Sequence, residues 1–178
     1  MSNFIRAFFL SLTIAAIMLF SAFGTTTVYA DDETPVAQFF VERRVLIPLE
    51  RIPALLKQAT LAVEDARFYS HEGIDVIGIA RAAWSNVQAG EVVEGASTIT
   101  QQLARKTFLR DDKTLRRKMR EAFLAVRIEH TFSKDEILEI YLNKVYLGDG
   151  YYGVEAASLG YFGKPSKALT IDEAALIA

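Results

Sequence analysis

The sequence predicts a mainly α-helical domain preceded by a single N-terminal transmembrane helix. Three observations predict it. Residues 7–30 hold no charged side chain and are mostly apolar, a run long enough for a hydrocarbon core of about 30 Å. From Pro53 onward, apolar residues recur with a period near that of a helix, not with the alternation of a strand. Three stretches, Thr98–Gln101, Ser133–Glu136 and Thr170–Glu173, have the spacing of a capping box, in which a hydroxyl and an amide or carboxylate three residues on satisfy each other's backbone N–H groups.

Composition bounds the function classes. The chain has 178 residues, 51% of them hydrophobic, enough for one domain with a core and a short extra segment. A net charge of −2 gives no bulk attraction to nucleic acid. The absence of cysteine excludes a disulfide framework, a thiolate nucleophile and a thiolate metal site.

The first segment, residues 1–33, is expected to be a cytoplasmic tip and a signal-anchor. Arg6 precedes the apolar run and Asp31, Asp32 and Glu33 follow it, which places the N-terminus inside and the body outside the cytoplasmic membrane. A signal peptide cleaved after Val28-Tyr29-Ala30 is the competing reading; the run exceeds the usual apolar region of about 7–15 residues. Residues 34–178 form the second unit. Val45–Pro48 is expected as a short strand, limited by Pro48 and Pro53.

Pro53 starts a helix whose apolar positions are Leu55, Leu56, Ala59, Ala62 and Val63. It ends on Glu64 and Asp65, where the helix dipole disfavours acids. They are either local salt links to Arg67 or His71, or Glu64 is an acid/base group whose pKa is raised by its apolar approach, Ala62, Val63 and Phe68. Asp75 is expected to cap a helix from Val76 to about Gln88, stopped by Gly90. Its apolar face would include Val76, Ile79, Ala80, Ala83 and Val87, as on a scaffold helix, with Trp84 expected in the core.

The next helix, from about Thr98 to Phe108, begins in EGASTITQQ. Its start is either simply well capped, or its backbone N–H groups and dipole face an anion such as a phosphate. Thr114 caps the following helix, on which Leu115, Met119, Ala122, Phe123 and Val126 form one apolar stripe. Glu121 lies on the far side with Arg117, Leu124 and Ile128. That face is either the wall of a cleft or carries an ordinary Arg117–Glu121 salt link. Ser133 opens a helix over KDEILEIYLNKVYLG. DGYYG (149–153) makes a tight turn, and a small-residue helix (Val154 to Tyr161) suits close packing. The last capping box opens a helix only five residues before the chain ends, so the domain reads as continuing beyond Ala178.

EDARFYSHEG (64–73), GASTITQQLARK (95–106), RKMRE (117–121), KDEILEIYLN (134–143) and LTIDEAALIA (169–178) stand in the order and spacing of the peptidoglycan glycosyltransferase (transglycosylase) family. The chain resembles the N-terminal modules of class A penicillin-binding proteins, most of all the 1A branch. The resemblance covers about residues 50–178. It implies a lysozyme-like glycosyltransferase fold on the outer face of the membrane, polymerising lipid II into β-1,4 glycan strands. It implies Glu64 as general base and Glu121 as the second catalytic glutamate. Asp65, Phe68, His71, Ser97, Gln101, Gln102, Arg105, Lys113, Arg117 and Lys118 fall on the family's substrate-binding motifs. Lys106 departs from the family, which usually has Asn there.

Elementary chemistry agrees with that assignment. A sugar hydroxyl is too weak an acid to attack unaided, so a carboxylate must take its proton. The departing lipid pyrophosphate is already an anion and needs cations and donors more than an acid. No metal or cofactor is required by the sequence, though Glu121 could ligate Mg or Mn on the pyrophosphate. The expected partners are lipid II, the growing glycan, the cytoplasmic membrane and other cell-wall assembly proteins. The alternatives are a glycan hydrolase or lytic transglycosylase, and an inactive membrane-anchored scaffold.

Overall fold

The structure is a computed structural model. It describes residues 25–29, 35–40, 43–93, 95–109 and 114–178, with side chains from Arg44 onward. Four short strands and seven α-helices are present among them.

The first strands, β1 (Thr25–Tyr29) and β2 (Pro35–Phe40), form an antiparallel hairpin with Thr25 opposite Phe40. This corrects the end of the expected apolar helix: three threonines, a valine and a tyrosine favour extended backbone. The rest of that span, 7–24 and Ala30, lies outside the described residues. Among the described residues no helix is long and apolar enough to cross a membrane.

The short strand expected at Val45–Pro48 falls instead at β3 (Arg43–Arg44), which runs parallel to β4 (Tyr151–Tyr152). The reason is a side chain that replaces the ladder. Asn143 Oδ1 accepts from the Ile47 N–H at 2.9 Å, and Asn143 Nδ2 donates to the Ile47 carbonyl at 2.8 Å.

The helices are α1 (Ala54–Glu64), α2 (Val76–Ala89), α3 (Ile99–Phe108), α4 (Leu115–Glu129), α5 (Lys134–Lys144), α6 (Val154–Phe162) and α7 (Ile171–Ile177). Each starts within a residue or so of its expected position, and all three capping boxes are formed. The core is built around α5. Its Ile137, Leu138, Tyr141 and Leu142 are buried together with Leu56 of α1, Ile99 and Leu103 of α3, Val154 and Ala157 of α6, and Ala174 and Ile177 of α7. Each such aliphatic side chain contributes about 1.5–3 kcal/mol of burial. α6 can lie against the end of α5 because Gly153 has no side chain: at φ +82, a Cβ there would come within 2.7 Å of the Asn143 carbonyl oxygen.

The apolar face of α2 and the apolar stripe of α4 are turned outward. On α2 the buried residues are Gly78 and Ala82, one turn apart and small, so the helix is held by its thin side. Val76, Ile79, Trp84 and Val87 are exposed. On α4 the buried residues are Glu121 and Ala125, while Leu115, Met119 and Phe123 are 64% exposed or more. The polar face of α4 is the one that packs.

Candidate active site

Glu64 is the last residue of α1, half-buried at a cleft of about 280 Å³ that is also lined by Asp65, Asp75, Arg81, Ser97 and Thr98. Ala62 and Val63, its apolar approach, are exposed and line the same cleft. The Glu64 carboxylate is held from α3: Gln102 Nε2 donates to Glu64 Oε2 at 2.7 Å. Behind it, the Tyr141 hydroxyl lies 3.3 Å from Gln102 Oε1.

Asp65 points the other way and is buried. Its carboxylate accepts from His71 Nε2 at 3.0 and 3.1 Å and from the Ile99 N–H at 3.0 Å. The Gly73 N–H donates to His71 Nδ1 at 3.1 Å, which fixes the neutral tautomer with its proton on Nε2. Thr98 Oγ1 in turn donates to the Gly73 carbonyl at 2.7 Å. Gly73, at φ +91, sits so close to α4 that a Cβ would lie 2.8 Å from the Ala125 carbonyl carbon. The segment 64–73 is thereby stitched to the start of α3 and pressed on α4. Phe68 is in the core at 1% exposure. Of the two readings of the acidic pair, the local link holds for Asp65 and His71, while Arg67 pairs with Asp75 at 3.2 Å.

The start of α3 is well capped, the first of its two readings. Two of its N–H groups already have partners inside the protein. Ile99 donates to Asp65, and Gln101 donates to Thr98 Oγ1 at 3.1 Å. The Gln101 side chain is committed to the cap, its Oε1 accepting from the Thr98 N–H at 3.2 Å.

Glu121 is 1% exposed. It is clamped between two cations of its own helix, Arg117 and Lys118, the latter with Nζ 3.0 Å from Glu121 Oε2. Lys118 Nζ also donates to Ser97 Oγ at 2.8 Å, joining α4 to the segment before α3. Burial, and then the neighbouring guanidiniums of Arg105 and Arg117, hold the Lys118 pKa below that of an ordinary lysine. Arg105, Arg117, Lys118 and Ser97 are thus one cluster. Lys118 is more exposed than Arg117, with 44% of its side chain open to solvent against 14%. Lys113 lies outside the described residues, and Lys106 is exposed.

The donor set does not fit a protein-held metal. Among the described residues no three carboxylates or imidazoles converge on one point, and both Glu121 oxygens face cations.

Residues 32–178 match the transglycosylase family. The chain belongs to the transglycosylase family. It is 52% identical over 151 residues to penicillin-binding protein 1A of Vibrio cholerae, a match covering 85% of this chain and 18% of that protein. Penicillin-binding protein 1A of Escherichia coli is 51% identical over the same shares. Penicillin-binding protein 1F of Bacillus subtilis is 48% identical over 143 residues, or 80% of this chain and 20% of that protein. The chain spans about a fifth of the length of these relatives. The family is one of glycosyltransferases, and the mainly helical architecture agrees with a lysozyme-like transglycosylase domain.

Within this transglycosylase domain Glu64 and Ser97 line the cleft at the start of α3; Gln102 holds Glu64, and Ser97 links the cleft to Lys118 and, through it, to Glu121, Arg117 and Arg105. Asp65, His71 and Gln101 lie behind them as support. The sequence reading missed Tyr141, whose helical period marks it only as core, and the linkage of Thr100 to Glu129, whose partners lie 29 positions apart.

Proposed function

We propose that this domain polymerises lipid II into β-1,4 glycan strands, with Glu64 as general base. The acceptor sugar's 4-hydroxyl oxygen attacks the anomeric carbon of the lipid-linked donor while its proton passes to Glu64. The bond from that carbon to the pyrophosphate oxygen breaks, and the undecaprenyl pyrophosphate leaves as an anion. A single displacement inverts the α-linked donor to a β-linked product. Arg105, Arg117 and Lys118 stabilise the charge that develops on the leaving group. Glu121 holds Arg117 and Lys118 in place, and a divalent cation on the pyrophosphate would be carried by the substrate.

The observation that supports this best is the buried Glu121 between Arg117 and Lys118, joined through Ser97 to the cleft that Glu64 also lines. A neutral glycan gives a hydrolase no use for three clustered cations, whereas a pyrophosphate leaving group does. The lipid-linked substrates suit a protein held at the outer face of the bacterial cytoplasmic membrane by residues 1–33. The exposed apolar residues of α2 and α4 support work at a bilayer surface, and other cell-wall assembly proteins are the natural partners.

The experiment is incubation of the detergent-solubilised chain with lipid II. New glycan polymer is expected. Shortening of preformed glycan would favour the hydrolase, and neither outcome would favour a scaffold. Glu64→Gln should leave the fold intact and remove polymerisation; activity above about 1% would take Glu64 out of the base role, since a positioned base contributes about 10²–10⁴-fold.

A further inference from the structure

Tyr141 reaches Glu64 through one intermediary. Its residue is 4% exposed on α5. Its hydroxyl lies 3.3 Å from Gln102 Oε1, and Gln102 Nε2 lies 2.7 Å from Glu64 Oε2. The three side chains come from α5, α3 and α1, so the fold alone aligns them.

A carboxamide makes this line directional. An ionised carboxylate only accepts hydrogen bonds, so the Gln102 group facing Glu64 is the NH2. The amide oxygen then faces Tyr141, and the Tyr141 hydroxyl donates to it. Reversal of the amide would turn its oxygen to Glu64, an arrangement that suits the protonated acid, and the Tyr141 proton would lose its acceptor. Burial, and then the nearby Glu64 carboxylate, push the Tyr141 hydroxyl far above the ordinary tyrosine range. It stays a donor at any pH at which the reaction runs.

We infer that Tyr141 is a positioning residue for the transferase reaction: through the Gln102 amide it holds Glu64 Oε2 and leaves Oε1 as the oxygen that takes the acceptor's proton. This rests on the reading of Glu64 as general base. The other charged groups around the pair are Asp65 beside Glu64, Asp75 and Arg81 across the cleft, and Arg105 on α3. Leu142 and Ile177 close the α5 and α7 side.

Tyr141→Phe keeps the ring and removes only the hydroxyl. In the full chain in detergent, the acid limb of its kcat/KM profile with lipid II should move up by about half a pH unit to one unit, as expected for loss of one net hydrogen bond. KM should stay within about twofold, because the substrate loses no contact. In a Gln102→Met background the same substitution should add no further shift. A rate lowered equally at every pH would overturn the inference, as would an equal shift in the Met background, since the effect would then bypass the amide. A ¹³C titration of the Glu64 carboxyl by NMR, without substrate, should show the same displacement between wild type and Tyr141→Phe. If wild type makes no polymer, the functional reading fails, while this titration still decides whether the Tyr141–Gln102–Glu64 line exists.

Discussion

Asp65 Oδ2 lies 3.0 Å from the backbone N–H of Ile99, so the anion at the N-terminus of α3 is the protein's own. A helix start offers donors and a partial positive charge, and here an internal carboxylate uses them. On the reading proposed above, the phosphate contacts fall to Arg105 and the cations of α4.

Asp65→Asn should therefore act on stability first. An amide oxygen in the place of Oδ2 can still accept from Ile99 and His71, but the NH2 in the place of Oδ1 then meets the Nε2 proton of His71, and that bond is lost. Loss of hydrogen bonds to a buried charged group costs about 1.5–3 kcal/mol. Urea unfolding should show a lower midpoint at unchanged slope. A changed slope, or no shift in midpoint, would count against the buried network as the link between 64–73 and α3.

Lys118 gives a pH prediction. Its folded pKa is lowered from 10.5, by burial first and then by Arg105 and Arg117, even with Glu121 beside it. A lowered lysine pKa means that the charge is lost earlier as pH rises. The polymerisation rate should therefore fall on an alkaline limb below 10.5. Lys118→Arg should carry its charge past that limb and abolish it, because guanidinium does not deprotonate in this range. Lys118→Met should lower the rate at all pH values, by about 10²–10³-fold if the charge stabilises the leaving group. An alkaline limb that persists in the Arg variant would assign it to another group.

The helices and caps were legible because they are local. Thr98 and Gln101, Ser133 and Glu136, and Thr170 and Glu173 need only a three-residue spacing to find each other. The candidate site was legible only through motif order, since tertiary packing sets Ser97 beside Glu64 in the cleft and Lys118 against Ser97. The misread faces share one physical cause. On α2 and α4 periodicity shows only that a face is apolar, not that protein covers it. Small residues, Gly78 and Ala82, and a charged pair, Arg117 and Glu121, proved to be the packed sides. Tyr141 was hidden for the opposite reason: its ring obeys the core pattern, and its hydroxyl meets a residue 39 positions away.

A second polar knot ties three helices behind the cleft. Glu129 Oε1 accepts from Thr100 Oγ1 at 2.5 Å and from Lys134 Nζ at 2.8 Å, and Lys134 Nζ sits 4.4 Å from the centre of the Phe68 ring. Glu129→Gln should destabilise by about 2 kcal/mol, within the range for a hydrogen bond to a charged group. Below the unfolding temperature it should keep polymerisation within about twofold, because these contacts do not face the cleft. A large loss of rate at full folding would show that the knot shapes the site as well as the fold.

Trp84 reports directly on the outward face of α2. It is the one tryptophan of the chain and is 66% exposed, on the same helix as Val76, Ile79 and Val87 at 72%, 42% and 77%. Exposed side chains of this size gain about 1.5–3 kcal/mol each on leaving water, and a tryptophan is at home at the headgroup level of a bilayer. In vesicles containing the full chain, brominated acyl chains should quench Trp84 fluorescence, and iodide in the water should quench it weakly. The opposite pattern would place α2 in solvent and remove its apolar face as a membrane contact. Replacing Val76 and Val87 by serine should weaken the quenching by bromolipid without lowering thermal stability, because neither side chain is packed against the rest of the domain.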